Sequence, residues 1–388
     1  MHMDSGGRLG DYSMMRDASG TAWQPDGAVM SGTHGQLGSW ATMLHGYLFG
    51  VLDHQGGPRG DQLIFSESML MATAQRTAGK SRLAFKAMLS FDPLMGKSGY
   101  PLLLQTGESA DGVTPLIDRQ HPHDFLMELA LTDSMAVSAN ASVFIYAGYP
   151  GEPALGPPTF MHRFSALANP EAPIAHHWLD STHTSFGVLT SGVVIGAWKA
   201  EASAFNGREP DQFRWNFDPL RLNSYAVRLS WNANQAVALQ LSYGSIRSPE
   251  ALEPEVNQQR YTVSAVADHQ LSIGHWQGTF AWGQNQQSTG ATSNALLFET
   301  ALQHQQHTFF ARAENADKDE LLLTGPLLGQ SLNVSKISIG YLFDINIARH
   351  LSLGVGALAS GYLLPTAIHA EYGAHPGSYM LFTRLNLN

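Results

Sequence analysis

The 388-residue chain contains no cysteine. Structural disulfides and thiolate metal sites are therefore excluded, and the composition suits an oxidising export route on which stray thiols would react. Charge is scarce: 14% of residues are ionic, against roughly 25% in an average soluble protein. No uninterrupted apolar run of about 18 residues occurs, which excludes a helical membrane span, and mean hydropathy is only -0.13. No linker, charge run, low-complexity stretch or propeller-length repeat divides the chain. Gly56-Gly57-Pro58-Arg59-Gly60 has no helix after it and so is a turn, not a phosphate cradle. Cations are outnumbered, giving a net charge of -10. That argues against nucleic acid as a partner and mildly favours cationic cargo. Met1-His2-Met3-Asp4 has neither a basic nor an apolar region, so the expectation is a chain whose export signal has already been removed.

What is present is alternation. In 81–91, Leu83, Phe85, Ala87, Leu89 and Phe91 share one face, and Arg82, Lys86 and Ser90 the other. Val227, Leu229 and Trp231 oppose Arg228 and Ser230. Ile337, Ile339, Tyr341 and Phe343 oppose Lys336 and Ser338. A period of two places such sets on opposite faces of a sheet. Strands are predicted over 39–53, 61–77, 81–92, 121–133, 139–149, 181–191, 193–206, 222–232, 235–247, 259–269, 273–285, 294–303, 307–316, 333–344, 350–363 and 377–387. The gaps between them run short, long, short, long. Tight turns at one end and long loops at the other are the pattern of a transmembrane barrel, with periplasmic turns and extracellular loops. A soluble sandwich has no reason to put its long loops on one parity.

The predicted fold is thus all-β: a single transmembrane antiparallel β-barrel of about sixteen strands, residues 39–388, preceded by a periplasmic segment over 1–38. The end of the chain carries a resemblance. Ser378–Asn388, with Tyr379, Leu381, Leu385 and Leu387 alternating, resembles the C-terminal strand that outer-membrane proteins present to their assembly machinery, although Asn388 replaces the usual terminal aromatic. Asp118-Arg119-Gln120-His121-Pro122-His123-Asp124 and His176-His177-Trp178-Leu179-Asp180-Ser181-Thr182-His183 resemble a group of bacterial outer-membrane proteins associated with copper and heavy-metal handling. The resemblance implies a porin-like barrel in the bacterial outer membrane, with a lipid bilayer and a small solute or metal ion as partners.

Seventeen histidines accompany only 22 lysines and arginines. His121, His123, His162, His176, His177 and His183 fall in or beside the two longest predicted loops, with Asp124 and Asp180. His121 and His123, two apart around Pro122, point to one side of an extended chain. Imidazole suits copper, zinc, nickel and iron, and Met161 would add a thioether that favours Cu(I). These eight His and Asp residues form the predicted metal set, expected at the extracellular mouth of the barrel, with copper or zinc as the implied ion. On strict alternation His183 faces the lumen, whereas His123 shares the apolar parity of Phe125, Met127 and Leu129. Two other readings stand beside it: loop packing by hydrogen-bonded polar side chains, and a His–Asp acid/base site near Ser181 or Ser185. No nucleophile-elbow pattern surrounds either serine, and no catalytic residue is assigned.

The predicted lumen carries Arg82, Lys86, Lys199, Glu201, Arg228, Glu299, Arg312, Glu314, Lys336 and Arg384. Such charges either set the field of an open pore or pair with one another and brace a filled barrel. Met69, Met71, Met88, Met95 and Met127 read as packing or lipid-facing residues. The function expected is an outer-membrane channel or binding barrel for a small solute or ion. The alternatives are an outer-membrane hydrolase at the barrel mouth and a plugged structural barrel.

Overall fold

The computed structural model describes residues 6–29 and 32–387. Its strands are β1 (Thr33–Leu37), β2 (Trp40–Gln55), β3 (Gln62–Ala78), β4 (Ser81–Leu89), β5 (Tyr100–Ser109), β6 (Pro115–Gln120), β7 (Leu126–Ser138), β8 (Ala141–Gly148), β9 (Val188–Ile195) and β10 (Trp198–Phe205). Then follow β11 (Ser224–Asn234), β12 (Val237–Ile246), β13 (Gln258–Leu271), β14 (Gly274–Gln287), β15 (Thr292–His304), β16 (His307–Lys318), β17 (Leu332–Ala348), β18 (Leu351–Leu363) and β19 (Gly377–Leu387). Seventeen of these share one sheet, and β5 and β6 form a separate hairpin. Short β1 folds back on the start of β2. The other sixteen strands pair antiparallel in chain order and close where β19 meets β2, Ser378 opposite Gln55 and Leu387 opposite Gly46. Closure removes the sheet edges, so every strand is paired on both sides, as hydrocarbon surroundings demand.

The side chains alternate as the sequence period requires. On β11, Tyr225, Val227, Leu229 and Trp231 face out, and Ala226, Arg228, Ser230 and Asn232 face in. The outer face is apolar along its middle, with Ile145, Leu241, Phe298, Phe309, Ile339 and Val355 exposed. Aromatics gather near both rims. Trp198 stacks on Trp231, centroids 5.0 Å apart, near the short turns, and Tyr225, Tyr243 and Tyr261 form a row near the long loops. Both belts fit a bilayer interface.

All sixteen predicted barrel strands are present, with three misplaced starts. The strand expected from 121 begins at Leu126, the one expected from 181 begins at Val188, and the one expected from 193 begins at Trp198. The His121-Pro122-His123 stretch precedes regular pairing, and Ser181–His183 is a 3-10 turn. The parity conflict at His123 thereby disappears, because neither His123 nor His183 sits on a strand.

The barrel is filled. Loops 90–125 and 149–187 turn inward and pack Tyr100, Leu102, Phe160 and Met161 against Phe49, Phe65, Met69, Met88 and Phe382 of the wall. Met69, Met71, Met88 and Met127 belong to this interior core. Trp178 also lies inside, donating its indole N–H to Ser293 at 2.9 Å. Of the stretch expected below the barrel over 1–38, residues 6–29 sit within its short-turn end; residues 1–5, 30 and 31 lie outside the described residues. Wall side chains hold this segment by its backbone. Ser134 donates to the Arg8 carbonyl at 2.9 Å and Asn232 to the Gln24 carbonyl at 2.9 Å, while Lys199 donates to the Thr21 carbonyl.

The outward face gives a direct test. Ile339, 65% exposed midway along β17, faces hydrocarbon, and Ile339→Arg should cost about 2–4 kcal/mol. Equilibrium unfolding from lipid vesicles measures this. An unchanged midpoint would mean that this face is not in lipid.

Candidate functional site

Two loops build the polar centre of the barrel. Loop 90–125 opens with a 3-10 turn over Asp92–Met95 and continues as the β5–β6 hairpin, whose Leu102 and Leu104 are fully buried. Gly107 holds a positive φ of 105° in that hairpin, and a Cβ there would fall 2.0 Å from the His177 ring. Only glycine lets the backbone approach so closely. Loop 149–187 carries the short helical turns Phe160–His162, His176–Leu179 and Ser181–His183.

Five of the predicted histidines come together between these loops. The His176 and His183 ring centroids are 5.2 Å apart, His123 and His183 5.3 Å, His176 and His177 5.6 Å, and His121 and His177 6.4 Å. Phe160 packs edge-on to His176 at 5.6 Å. The Nδ1 atoms face acceptors. His183 Nδ1 donates to the Asp180 carbonyl at 2.9 Å, His176 Nδ1 to Asp180 Oδ1 at 2.8 Å, and His123 Nδ1 to Asp92 Oδ2 at 2.8 Å. A carbonyl only accepts, so His183 carries its proton on Nδ1, leaving Nε2 as a bare lone pair. The Nε2 atoms of His123, His177 and His183 are buried without a hydrogen-bond partner. Beside them lies a void of about 10 Å³, bordered by Glu67, Asp92, Tyr100, His121, His123 and Met161. That is room for about one water-sized occupant.

Burial sets the charge of the cluster. It pushes His121 down to about 3, helped by neighbouring His176 and His123. Burial also lowers His176, His177 and His183. Asp180 behaves differently. Burial opposes its ionisation, but the His176 hydrogen bond and the Arg163 guanidinium, 3.0 Å away, outweigh that and hold it below the usual carboxylate range. Burial thus disfavours the charged form of His121, His176, His177 and His183 beside the ionised Asp180.

The remaining predicted ligands lie apart. Asp124 pairs with Arg214 of loop 206–223 at 3.1 Å, and Arg214 also meets Glu108, so these charges tie loops together. His162 makes no ring contact with the five, although its Nε2 is buried and unpaired. Among the described residues, no three His, Asp or Glu side chains converge as a metal cage. The acid/base alternative lacks a nucleophile in contact. Ser181 Oγ accepts from Arg260 at 3.0 Å, and Ser185 Oγ donates to the Thr182 carbonyl at 3.1 Å.

The ten predicted lumen charges all point inward, where partners meet them. Lys86 pairs with Glu128 at 2.9 Å, Lys199 with Glu201 at 2.8 Å, Arg228 with Glu201 at 2.9 Å, and Arg384 with Asp344 at 2.8 Å. Arg82 donates to the Gly7 and Gly10 carbonyls. Loop 149–187 supplies the rest. Glu171 pairs with Lys336 at 2.9 Å, Arg163 bridges Glu299 at 2.5 Å and Asp180, and the Ala175 N–H donates to Glu314 at 3.0 Å. Arg312 holds the other Glu299 oxygen at 2.9 Å. Sequence reasoning missed Arg163 and Glu152 as structural partners. The predicted wall's excess of cations over carboxylates signalled that a loop acid such as Glu171 had to enter, but nothing signalled Arg163. Glu152 marks where loop and N-terminal segment meet, accepting from Ser19 at 3.1 Å and Thr159 at 3.0 Å. Burial raises its carboxyl to about 7.

No protein-family model matches the chain, and no curated protein matches it. Solved structures do. The OmpF of Salmonella typhi, in complex with daunomycin, aligns with a TM-score of 0.54 at 9% identity, covering 91% of this chain and 100% of its own. An anion-selective porin from Comamonas acidovorans gives 0.52 at 10% identity, covering 90% and 100%. The outer-membrane channel DcaP of Acinetobacter baumannii gives 0.51 at 10% identity, covering 92% and 100%. This chain has the porin fold, a closed sixteen-stranded barrel of the kind bacterial outer membranes contain. None of these likenesses supports the copper association or a particular solute.

The neutral histidines carry a pH signature. Below about 6.5 an unfolded imidazole takes a proton that these buried rings refuse, so each ring taken alone withdraws up to about 1.4 kcal/mol of stability per pH unit. In ¹⁵N spectra of the histidine-labelled protein in micelles, His121 and His183 should remain neutral at pH 5. Protonated shifts there would contradict the assignment.

Proposed function

We propose that the protein is a bacterial outer-membrane barrel for a small solute or ion that is closed at rest, with loop 149–187 as the element that closes it. The observation carrying this reading is the way that loop crosses the lumen. Its Glu171 and Arg163 reach wall charges Lys336 and Glu299, and its Glu152 meets Ser19 of the N-terminal segment. A general diffusion pore needs a continuous water path, and here ion pairs and packed side chains occupy it. Removing one member of such a pair leaves a buried charge without its partner, at about 3–5 kcal/mol. In planar bilayers the wild type should conduct weakly. A Glu171→Gln/Arg163→Gln variant should conduct several-fold more, with longer open times. Wild-type conductance like that of an open porin, unaltered in the variant, would refute the closing role.

A second reading concerns the histidines. Three unpartnered Nε2 atoms in one buried cluster are of the kind a copper or zinc ion would use. The donors are of the right kind, but they do not converge as the side chains stand. Against this, a packing role needs only the Nδ1 bonds already made. Metal content of the tag-free, detergent-purified protein, beside a His121→Ala/His123→Ala/His183→Ala variant, separates the two. Near-stoichiometric metal lost in the variant supports capture of a transition ion, and equal, negligible metal in both leaves the cluster as loop packing.

A further inference from the structure

The short-turn end of the barrel is filled unevenly. Residues 6–29 occupy one half. The other half holds a separate cavity of about 180 Å³, roofed by Phe164, Leu167 and Ala168 of loop 149–187 and reaching the turn at Gln305 and Gln306. Its polar wall centres on an ion pair between neighbouring strands. Arg384 Nη2 donates to Asp344 Oδ2 at 2.8 Å, and Arg384 Nη1 donates to the Leu167 carbonyl at 3.1 Å. Three polar atoms bordering the cavity remain buried without a partner: Arg384 Nε, Asp344 Oδ1 and His45 Nδ1. Native proteins pair almost all such atoms, with each other, with water or with a ligand.

From this geometry we infer that the cavity is a binding site for a small zwitterion, an α-amino acid with a short side chain. Both Arg384 and Asp344 line the cavity, so the wall offers one positive and one negative group side by side. A lone anion would face Asp344, and a lone cation would face Arg384. A molecule carrying both charges satisfies each at its own partner. The amides of Gln303 and Asn346 line the same space and serve either end, while Phe164 and Leu167 give an apolar roof for a short side chain. The size agrees, because a cavity of about 180 Å³ is far larger than the roughly 10–15 Å³ a single water needs. The site does not depend on the closing role of the loop or on the histidine cluster, which lies toward the opposite end.

The test is calorimetric titration of the full-length protein in detergent with L-serine and, separately, with acetate, methylammonium and glycerol. L-serine should give a saturable isotherm, and each of the other three should bind at least tenfold more weakly. Asp344→Asn and Arg384→Gln should each weaken L-serine by at least tenfold. Each variant is checked for a folded barrel by its heat-dependent shift in gel mobility. Gln306→Trp, at an exposed turn position, narrows the mouth without touching the ion pair and should also reduce binding. A flat L-serine titration of the folded wild type would overturn the inference. So would glycerol binding as tightly as L-serine, or folded Asp344→Asn and Arg384→Gln proteins that bind it normally.

Discussion

A charge placed inside a ring of strands bathed in hydrocarbon has to find its partner within that ring. The interior of this barrel follows from that constraint. Lys86, Lys199, Arg228, Arg312 and Lys336 project from the wall. Wall carboxylates answer some of them, as in the Arg228–Glu201–Lys199 group. Lys336 and Arg312 draw Glu171 and Arg163 of loop 149–187 into the lumen, Arg312 through the shared Glu299. Such pairs add little net stability over an apolar core, because desolvation offsets much of the attraction. What they do is fix position, since a loop acid that leaves its site strands a cation behind it.

Much of this was legible in the sequence. Period-two alternation locates all sixteen barrel strands, because one face meets lipid and the other does not. The parity of gap lengths locates the two ends. What escaped has physical reasons. Residues 121–125 and 181–187 continue the alternation by accident, yet Pro122 and the turn at Ser181–His183 keep them from pairing. The β5–β6 hairpin is written as an apolar run, Pro101-Leu102-Leu103-Leu104, because it is buried on all sides inside the barrel. The N-terminal segment has no period to read, since wall side chains grip its carbonyls and its own side chains need follow no pattern.

The histidine cluster shows how far spacing can be taken. Of the residues expected at the extracellular mouth, His121, His123, His176, His177 and His183 lie together between the two loops inside the barrel, and Asp124 and His162 do not join them. Histidine suits such a place because it is polar enough to bond carbonyls and carboxylates, yet sheds its charge when buried. A lysine or arginine there would bring a further charge to be matched. The same property leaves lone pairs on the inner atoms, so a packing device and a ligand set share one geometry. Only the convergence of three donors separates them, and sequence spacing does not encode convergence.

The two fillings of the barrel are held in different ways, and this decides which of them can respond to conditions. The N-terminal segment is gripped by its backbone: Ser134, Ser142, Lys199 and Asn232 donate to main-chain carbonyls of residues 8, 9, 21 and 24. Carbonyls have no protonation change at ordinary pH, and a hydrogen bond to a neutral group is little affected by salt. The loop is gripped through ionised side chains, Glu171, Arg163 and Asp180, and through Glu152, whose raised carboxyl titrates near neutrality. The loop's hold therefore depends on the ionisation of its own side chains, and the N-terminal segment shares one such contact, Ser19 donating to Glu152. The wall cannot yield, because every strand is paired on both sides. Loop 149–187 is therefore the filling that a change of pH can reach, and the cavity of about 180 Å³ lies beneath its Phe164 and Leu167.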